Sequence, residues 1–258
     1  VYQGLFPVEK FPLLGLPEEY FGLAGLECWH KLSFAKAGFV YSDVFNTVSE
    51  TYAREIQTPE FGAGLDGLLR SRAGDLYGIV NGIDYEVWNP ATDPKLPRRY
   101  SAATISLKAD NKSALQKSCN LPAKPDVPLI GIVSRLDAQK GFDLLVDVME
   151  DLVKQNCQFV LLGTGDQKYH EYFTALQKKY PNNISVNLGF DAALAELIYA
   201  GADMFMMPSR YEPCGLGQLI SFKYGTVPIV RKTGGLADTV NDYEAKSGQG
   251  DWFVFTDY

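Results

Sequence analysis

The sequence predicts an α/β fold in which a parallel sheet is covered by helices on both faces. From Asp126 onward, short apolar runs alternate with amphipathic segments, which is the pattern of consecutive βαβ units. Glycine-containing turns follow several runs, at the strand ends where open α/β sheets bind their ligands. The runs are Leu129 to Val133, Phe159 to Leu162, Ile184 to Leu188, Met204 to Met207 and Val227 to Val230. We therefore expect a Rossmann-like layered domain in this half.

The segments between the runs supply the predicted helices. After the first run, apolar residues recur at three- and four-residue spacing, which predicts an amphipathic helix. These residues are Phe142, Leu145, Met149, Leu152 and Val153. Helical patterns also span Ala192 to Ala200 and Gln218 to Tyr224, and another helix is expected after the turn Lys232 to Leu236.

Residues 1 to about 80 have a different pattern. Aromatic residues crowd a segment interrupted by proline and glycine, which predicts long loops with short helices. Val44 to Val48 and Leu76 to Val80 are predicted strands and Glu50 to Ile56 a helix, and we expect that these pieces do not form a sheet of their own. The proline-rich stretch Asn89 to Pro97 has the composition of an inter-domain connection. The expected domains are 1–80, an incomplete first domain, and 81–258, a connection followed by the Rossmann-like domain.

Composition excludes several classes of protein. The chain has 258 residues, a net charge of -7 and 46% hydrophobic residues, enough to bury a core without disulfide or metal staples. An acidic chain is not expected to bind nucleic acid or an anionic membrane, although a local basic pocket can still hold a phosphate. The four cysteines are scattered without a C-x-x-C pair, which indicates a reducing compartment, and no apolar stretch is long enough for a membrane helix.

The first turn with functional chemistry is Ser134 to Gly141, directly after the first run. Arg135 and Lys140 are placed so that two cations could clamp a phosphate group at the carboxyl end of the sheet. A solvated loop with a surface salt bridge explains the same residues equally well.

The second turn is Gly163-Thr164-Gly165, at the end of the next run. Glycines there let the backbone approach a ligand and expose N–H groups. The dinucleotide fingerprint is incomplete, because Lys168 stands where its third glycine would be. Hydride transfer is therefore not expected.

The third stretch, Ser209 to Gly217, is the most informative. Glu212 precedes the backbone amides of Gly215, Leu216 and Gly217, an arrangement able to hold sugar hydroxyls together with a diphosphate. The alternative is an acid that only stabilises the dipole of the following helix. Cys214 has no histidine after His170 to activate it as a nucleophile, and His30 and His170 are interpreted as packing or surface residues.

Metal-bridged binding of a diphosphate is not expected. The chain contains no Asp-x-Asp pair, so Arg135 and Lys140 would have to supply the positive charge instead. The turn Lys232-Thr233-Gly234-Gly235-Leu236 adds another backbone turn at the same edge.

Together these residues resemble the bacterial glycogen synthase and plant starch synthase family, which are retaining glucosyltransferases of the two-Rossmann-domain GT-B type. The resemblance covers nearly the whole chain, with its segments in order at the family's spacing. Besides the turns above, the matching segments are Lys36 to Gly38, Thr47 to Ser49, Thr51 to Pro59, Gly64 to Gly67, Asn81 to Asp84 and Val87 to Asp93.

The resemblance implies transfer of glucose from a nucleotide sugar to the non-reducing 4-hydroxyl of an α-1,4-glucan, with ADP-glucose favoured over UDP-glucose and no cofactor or metal required. Arg135 and Lys140 would bind the diphosphate and Glu212 the sugar hydroxyls. Gly163, Thr164, Gly165 and Cys214 to Gly217 would line the donor site. Phe190 would lie beside the adenine, and Ser33 stands where some members have an Asn near the donor sugar.

The resemblance also implies that part of the enzyme lies outside the chain. The family's His-Asn motif would fall just before Tyr2-Gln3-Gly4, and its first Lys-x-Gly-Gly-Leu loop well upstream. We therefore expect that the full-length enzyme elongates glucan in a bacterial cytoplasm or a plastid stroma and that this segment alone does not; no oligomeric state is implied. Two alternatives stay open: a catalytically incomplete glucan- or nucleotide-binding module, and a different GT-B transferase, against which the Glu-Pro-Cys-Gly sequence argues.

Overall fold

The computed structural model describes residues 4–250 and 252–258. Contacts between Cα atoms divide the chain into two compact units, Val1–Val80 and Asn81–Tyr258. Tyr2 and Gln3, which begin the Tyr-Gln-Gly match, lie outside the described residues.

The smaller unit contains two small sheets, so the expectation that its pieces form no sheet was wrong. Strands β1 (Leu5–Pro7), β2 (Glu27–Cys28) and β3 (Lys31–Ser33) pair antiparallel in the order β1-β3-β2, and β4 (Phe45–Thr47) pairs in parallel with β5 (Leu76–Gly78). The β2–β3 turn is Trp29-His30, with φ of 50° and 57°. Such turns match the twist of the strands but are usually Asn-Gly, so Trp-His carries no hairpin signal.

The α-helices described in the smaller unit are α1 (Phe34–Tyr41), α2 (Glu50–Glu55) and α3 (Asp66–Ser71), and the first two begin at serine caps. The Ser33 hydroxyl accepts from the Lys36 amide at 3.2 Å, and the Ser49 hydroxyl accepts from the Tyr52 amide at 2.8 Å. Each bond satisfies an amide that the first helical turn leaves without an intrahelical partner.

The larger unit is built on a six-stranded parallel sheet, which confirms the predicted α/β fold. Its strand order is β11-β10-β9-β6-β7-β8. The order therefore runs outward from β6 through β7 to β8, and in the opposite direction from β9 to β11. Ligands of open α/β sheets bind where the order reverses, at the carboxyl ends of such neighbours, here β6 and β9. The strands are β6 (Leu129–Val133), β7 (Gln158–Gly163), β8 (Ile184–Leu188), β9 (Met204–Met207), β10 (Val227–Arg231) and β11 (Phe253–Phe255).

Helices cover both faces of this sheet. Alternate residues of β7 divide between two cores, with Phe159 and Leu161 packed with α5 and α6, and Val160 and Leu162 packed with α4 and α7. This alternation follows from the two-residue period of a strand. The helices are α4 (Lys108–Ser118), α5 (Phe142–Lys154), α6 (Gln167–Lys179), α7 (Ala192–Gly201), α8 (Gly217–Lys223) and α9 (Gly234–Thr239). Across residues 4–250 and 252–258, none is both long and apolar enough to cross a bilayer.

The proline-rich stretch 89–97 is packed onto the larger unit. The Tyr224 hydroxyl donates to Asp93 Oδ2 at 3.0 Å, and Lys95 Nζ lies 2.6 Å from Glu196 Oε1. Leu96 is also buried, in the same core as α4 and α7. The turn-rich composition suggests a free connection, but its polar residues are paired with α7 and with the turn after α8.

Candidate active site

Two loops meet where the strand order reverses. The loop after β6 carries Arg135 and Lys140, and the loop after β9 carries Glu212. These side chains line one cavity of about 260 Å³, together with Ser134, Ser209 and the backbone of Gly215, Leu216 and Gly217. The structure therefore brings together the cations, the carboxylate and the glycine-flanked amides.

Glu212 is held as a buried, paired carboxylate. Its Oε2 lies 2.7 Å from Lys140 Nζ and 2.9 Å from Ser209 Oγ, while Glu212 is only 5% exposed and Ser209 only 1%. A carboxylate that is buried needs a charge partner and hydrogen bonds to offset the loss of its contacts with water. Since the side chain pairs with Lys140 rather than with an amide of α8, the helix-dipole alternative does not describe its contacts.

Arg135 has a different environment from Lys140. Its guanidinium is about half exposed and contacts its own loop, with Nη1 3.1 Å from Asp137 Oδ2 and Nη2 3.1 Å from Gln139 Oε1. Lys140 thus reaches into the cavity to Glu212, whereas Arg135 forms a solvated ion pair within its own loop. The phosphate clamp by these two residues stays a prediction.

A glycine allows the two loops to approach each other. Gly141 has φ of 78°, and a Cβ there would lie 2.1 Å from the Pro208 carbonyl oxygen. The Arg210 amide also donates to the Gln139 carbonyl at 2.9 Å. Any side chain at residue 141 would therefore push the Lys140 loop away from the Glu212 loop.

The turn after β10 packs against the backbone of Glu212. The Gly235 amide donates to the Glu212 carbonyl at 3.0 Å, and a Cβ at Gly234 would lie 1.9 Å from that same oxygen. The double glycine of Lys232 to Leu236 is thus explained by close packing against the backbone of Glu212.

The glycine-flanked loop is fixed by a buried amide side chain. Gln218 Nε2 donates to the Cys214 and Gly215 carbonyls, both at 3.0 Å. Cys214 is buried, and burial raises the pKa of its thiol. The thiol therefore stays protonated near neutral pH, which agrees with the lack of an activating histidine.

A second cavity of about 220 Å³ adjoins the first, because Val133, Ser134 and Arg135 line both. Gly163, Thr164 and Phe190 line its other side. The two cavities form a continuous groove across the carboxyl ends of β7, β6 and β9. Phe190 is 95% exposed, so its ring is free to stack on a planar ligand.

The glycines after β7 serve loop packing. A Cβ at Gly163 would lie 1.8 Å from the Ser134 carbonyl oxygen, and the Leu136 amide donates to the Thr164 carbonyl at 3.0 Å. The Gly165 amide donates to His170 Nε2 at 2.9 Å, so a ligand would have to displace that bond to use it.

Two residues in the site were missed from the sequence. Ser209 was part of the third stretch without a role, because nothing in a sequence shows which hydroxyl reaches a carboxylate. His170 was interpreted as a packing or surface residue, yet its ring also lies 3.4 Å from Thr164 Oγ1. Its placement in the first turn of the helix after Gly165 was the available signal.

Ser33 belongs to the smaller unit and is fully buried. Its hydroxyl is engaged in the cap of α1 described above, so its place near a donor sugar stays a prediction. Among residues 4–250 and 252–258, no three His, Cys, Asp or Glu side chains are grouped as metal ligands would be.

Solved structures define the class of protein. The fold matches the catalytic domain of Starch Synthase IV from Arabidopsis thaliana bound to ADP and acarbose, with a TM-score of 0.92 and 34% identity over 99% of this chain and 54% of that chain. Anabaena Alr3699/HepE in complex with UDP-glucose shares the fold at 18% identity, with a TM-score of 0.58 over 85% of this chain and 51% of that chain. The architecture is that of a GT-B glycosyltransferase.

Sequence comparison narrows the class. A model of the starch synthase catalytic domain matches residues 1–71, and one of glycosyl transferases group 1 matches residues 116–256. Glycogen synthase of Desulforudis audaxviator is 52% identical over 100% of this chain and 51% of its own length, and that of Pseudothermotoga lettingae is 53% identical over 100% and 53%. The chain belongs to the glycosyl transferases group 1 family, among the bacterial glycogen synthases and plant starch synthases, as the sequence motifs predicted. It spans about half the length of these relatives.

Proposed function

We propose that the protein containing this chain transfers glucose from a nucleotide sugar to the non-reducing 4-hydroxyl of an α-1,4-glucan, with retention of the anomeric configuration. The observation that carries the proposal is the buried Lys140–Glu212 pair, 2.7 Å apart in the cavity that Gly215 to Gly217 line. A cation and a carboxylate side by side can bind a nucleotide sugar, because the cation binds the phosphate while the carboxylate accepts hydrogen bonds from the sugar hydroxyls. The identity to glycogen synthases across the whole chain supports this reaction.

Each part of the groove has a role in the proposed transfer. Lys140 and Arg135 bind the diphosphate and stabilise the negative charge that develops as the nucleotide leaves. Glu212 accepts hydrogen bonds from sugar hydroxyls and supports the positive charge that develops at the anomeric carbon. The amides of Gly215 to Gly217 contact the sugar and the distal phosphate.

The second cavity takes the base of the nucleotide. Phe190 stacks on it, and the Gly163-Thr164-Gly165 turn forms the wall beside the ribose. ADP-glucose is the favoured donor, since the Arabidopsis starch synthase, which shares 34% identity with this chain, is described with ADP bound. Because Arg135 and Lys140 supply countercharge, we propose that transfer needs no metal ion, and Ser33 is assigned to the donor-sugar side.

The test is incorporation of labelled glucose into glycogen by the full-length protein, with ADP-glucose or UDP-glucose and with EDTA present. We expect the full-length protein to incorporate glucose faster from ADP-glucose than from UDP-glucose, and EDTA should not reduce the rate. The 258-residue chain alone should incorporate none. A full-length protein that binds ADP-glucose and glucan without transfer would instead be a binding module. Loss of transfer in EDTA with recovery on added Mg²⁺ would contradict the metal-free proposal.

A further inference from the structure

The two oxygens of the Glu212 carboxylate have different environments. Lys140 Nζ and Ser209 Oγ both contact Oε2, at 2.7 and 2.9 Å. Within the described part of the chain, no hydrogen bond to Oε1 is found, and Oε1 is not one of the buried polar atoms that lack a partner. Since Glu212 lines the cavity, Oε1 is the oxygen that remains open to it.

Lys140 alone cannot keep the carboxylate in this orientation during the proposed reaction. An ammonium is a compact charge on a flexible stem, and the proposed diphosphate would compete with Glu212 for it. Ser209 differs, because it is neutral, almost fully buried and three residues from Glu212 on the same loop. Its hydrogen bond does not compete with the phosphate.

We propose that Ser209 is a positioning residue, which holds Oε2 of Glu212 so that Oε1 accepts from a hydroxyl of the donor sugar. This inference rests on the proposed function, because it assigns the sugar to Glu212. In this arrangement the two oxygens of Glu212 have different partners: Oε2 is bound by protein groups and Oε1 by the ligand.

The test compares ADP with ADP-glucose by calorimetry on the full-length protein. ADP has no sugar, so Ser209→Ala should leave its affinity within about twofold of wild type. The affinity of ADP-glucose should fall about tenfold, the usual worth of one hydrogen bond to a charged group. Ser209→Thr, which keeps a hydroxyl, should restore most of that affinity.

A double variant separates positioning from general destabilisation. If Ser209 acts through Glu212, then Ser209→Ala should add less than about twofold to the loss caused by Glu212→Gln. The matched control is Ser185→Ala on β8, another buried serine that bonds a side chain, Asn187; it should leave both affinities unchanged.

The outcomes are distinguishable from failure of the proposed function. Any of three results would overturn the positioning role: wild-type affinity of Ser209→Ala for ADP-glucose, an equal loss of affinity for ADP and ADP-glucose in that variant, or full additivity with Glu212→Gln. A protein that binds ADP-glucose but transfers no glucose would contradict the proposed function while the Ser209 comparison is still decided, because calorimetry requires no turnover.

Discussion

The two adjoining cavities of the groove are held together by different means. In the first, charged and polar side chains contact one another, with Lys140 and Ser209 on Glu212. In the second, backbone pairs with backbone, as between Leu136 and Thr164, and the aromatic side chain that lines it, Phe190, is almost fully exposed. The difference indicates that substitutions in the first cavity change chemistry, whereas those in the second change only affinity.

The largest expected effect tests the first cavity. Lys140→Met removes the cation that contacts Glu212 and that we propose to bind the leaving phosphate. We expect kcat in the full-length protein to fall by about a hundredfold or more, the usual cost of one preorganised electrostatic group. Steady-state kinetics with ADP-glucose measure it. Lys154→Met, a surface lysine of α5 paired with Asp151, is the matched control and should leave kcat unchanged.

A second variant separates catalysis from stability. Lys140→Met leaves a buried carboxylate without its cation, which typically costs about 3 to 5 kcal/mol. Adding Glu212→Gln should recover much of the free energy of unfolding, measured in urea, without recovering kcat. Recovery of turnover in the double variant would contradict the roles proposed for both Lys140 and Glu212.

The same contrast explains how much of the fold was predictable. β6, β8 and β9 have the bounds that their apolar runs predicted. For β6 and β9 the reason is that both faces of a central parallel strand are buried, whereas β8 lies at the edge of the sheet. Helix α4 was missed, because its buried face is polar: Asn111 pairs with the backbone of Arg98, and Gln116 donates to Gln158. No hydrophobic period marks such a helix.

The site was predictable in its residue types and less so in its contacts. Arg135, Lys140 and Glu212 were found because parallel strands end at one edge and charged residues follow two of them. The sequence could not show that Lys140 reaches Glu212 while Arg135 stays in its own loop, since that depends on the close approach at Gly141. For the same reason the hydrogen bonds of Ser209 and His170 were not visible.

The next effect concerns the support beneath the first cavity, where Tyr199 is a lining residue. Lys108 Nζ lies 3.2 Å from the Tyr199 carbonyl oxygen, 2.8 Å from that of Ala200 and 2.7 Å from Thr226 Oγ1. Burial lowers the pKa of Lys108 to about 7, against the opposing effect of Asp203. Lys108 therefore binds the carbonyl groups at the end of α7, although burial destabilises its charged form.

The sign of the pH effect follows from this lowered pKa. Above about pH 7 the folded state releases a proton that the unfolded chain keeps until about pH 10. The free energy of unfolding should therefore rise with pH in this window, by about 2 kcal/mol between pH 7.5 and 9. Lys108→Met should lose that rise in urea titrations, and Lys117→Met, exposed on the same helix, should keep it. Equal slopes in all three proteins would contradict the assignment.

A smaller effect tests the second cavity. Phe190→Ala removes the exposed ring without disturbing packing, and a base stacked on an aromatic ring is worth about 1 to 3 kcal/mol. We expect the affinity for ADP to fall about tenfold and the temperature of unfolding to stay unchanged. Phe190→Tyr should bind ADP as wild type does. A fall in kcat of Phe190→Ala at saturating donor would contradict the expectation that substitutions in the second cavity change only affinity.

The smallest effect concerns His170, which acts on the second cavity through the backbone. The Gly165 amide can only donate, so His170 Nε2 is the acceptor of this bond. His170→Ala should loosen the Thr164–Gly165 turn and weaken ADP binding about threefold, within the worth of one neutral hydrogen bond. Glu171→Ala, the exposed neighbour on α6, is the control. If wild type and His170→Ala bind ADP equally, the β6 and β7 loops hold this turn without the histidine, and packing at Gly163 alone fixes the second cavity.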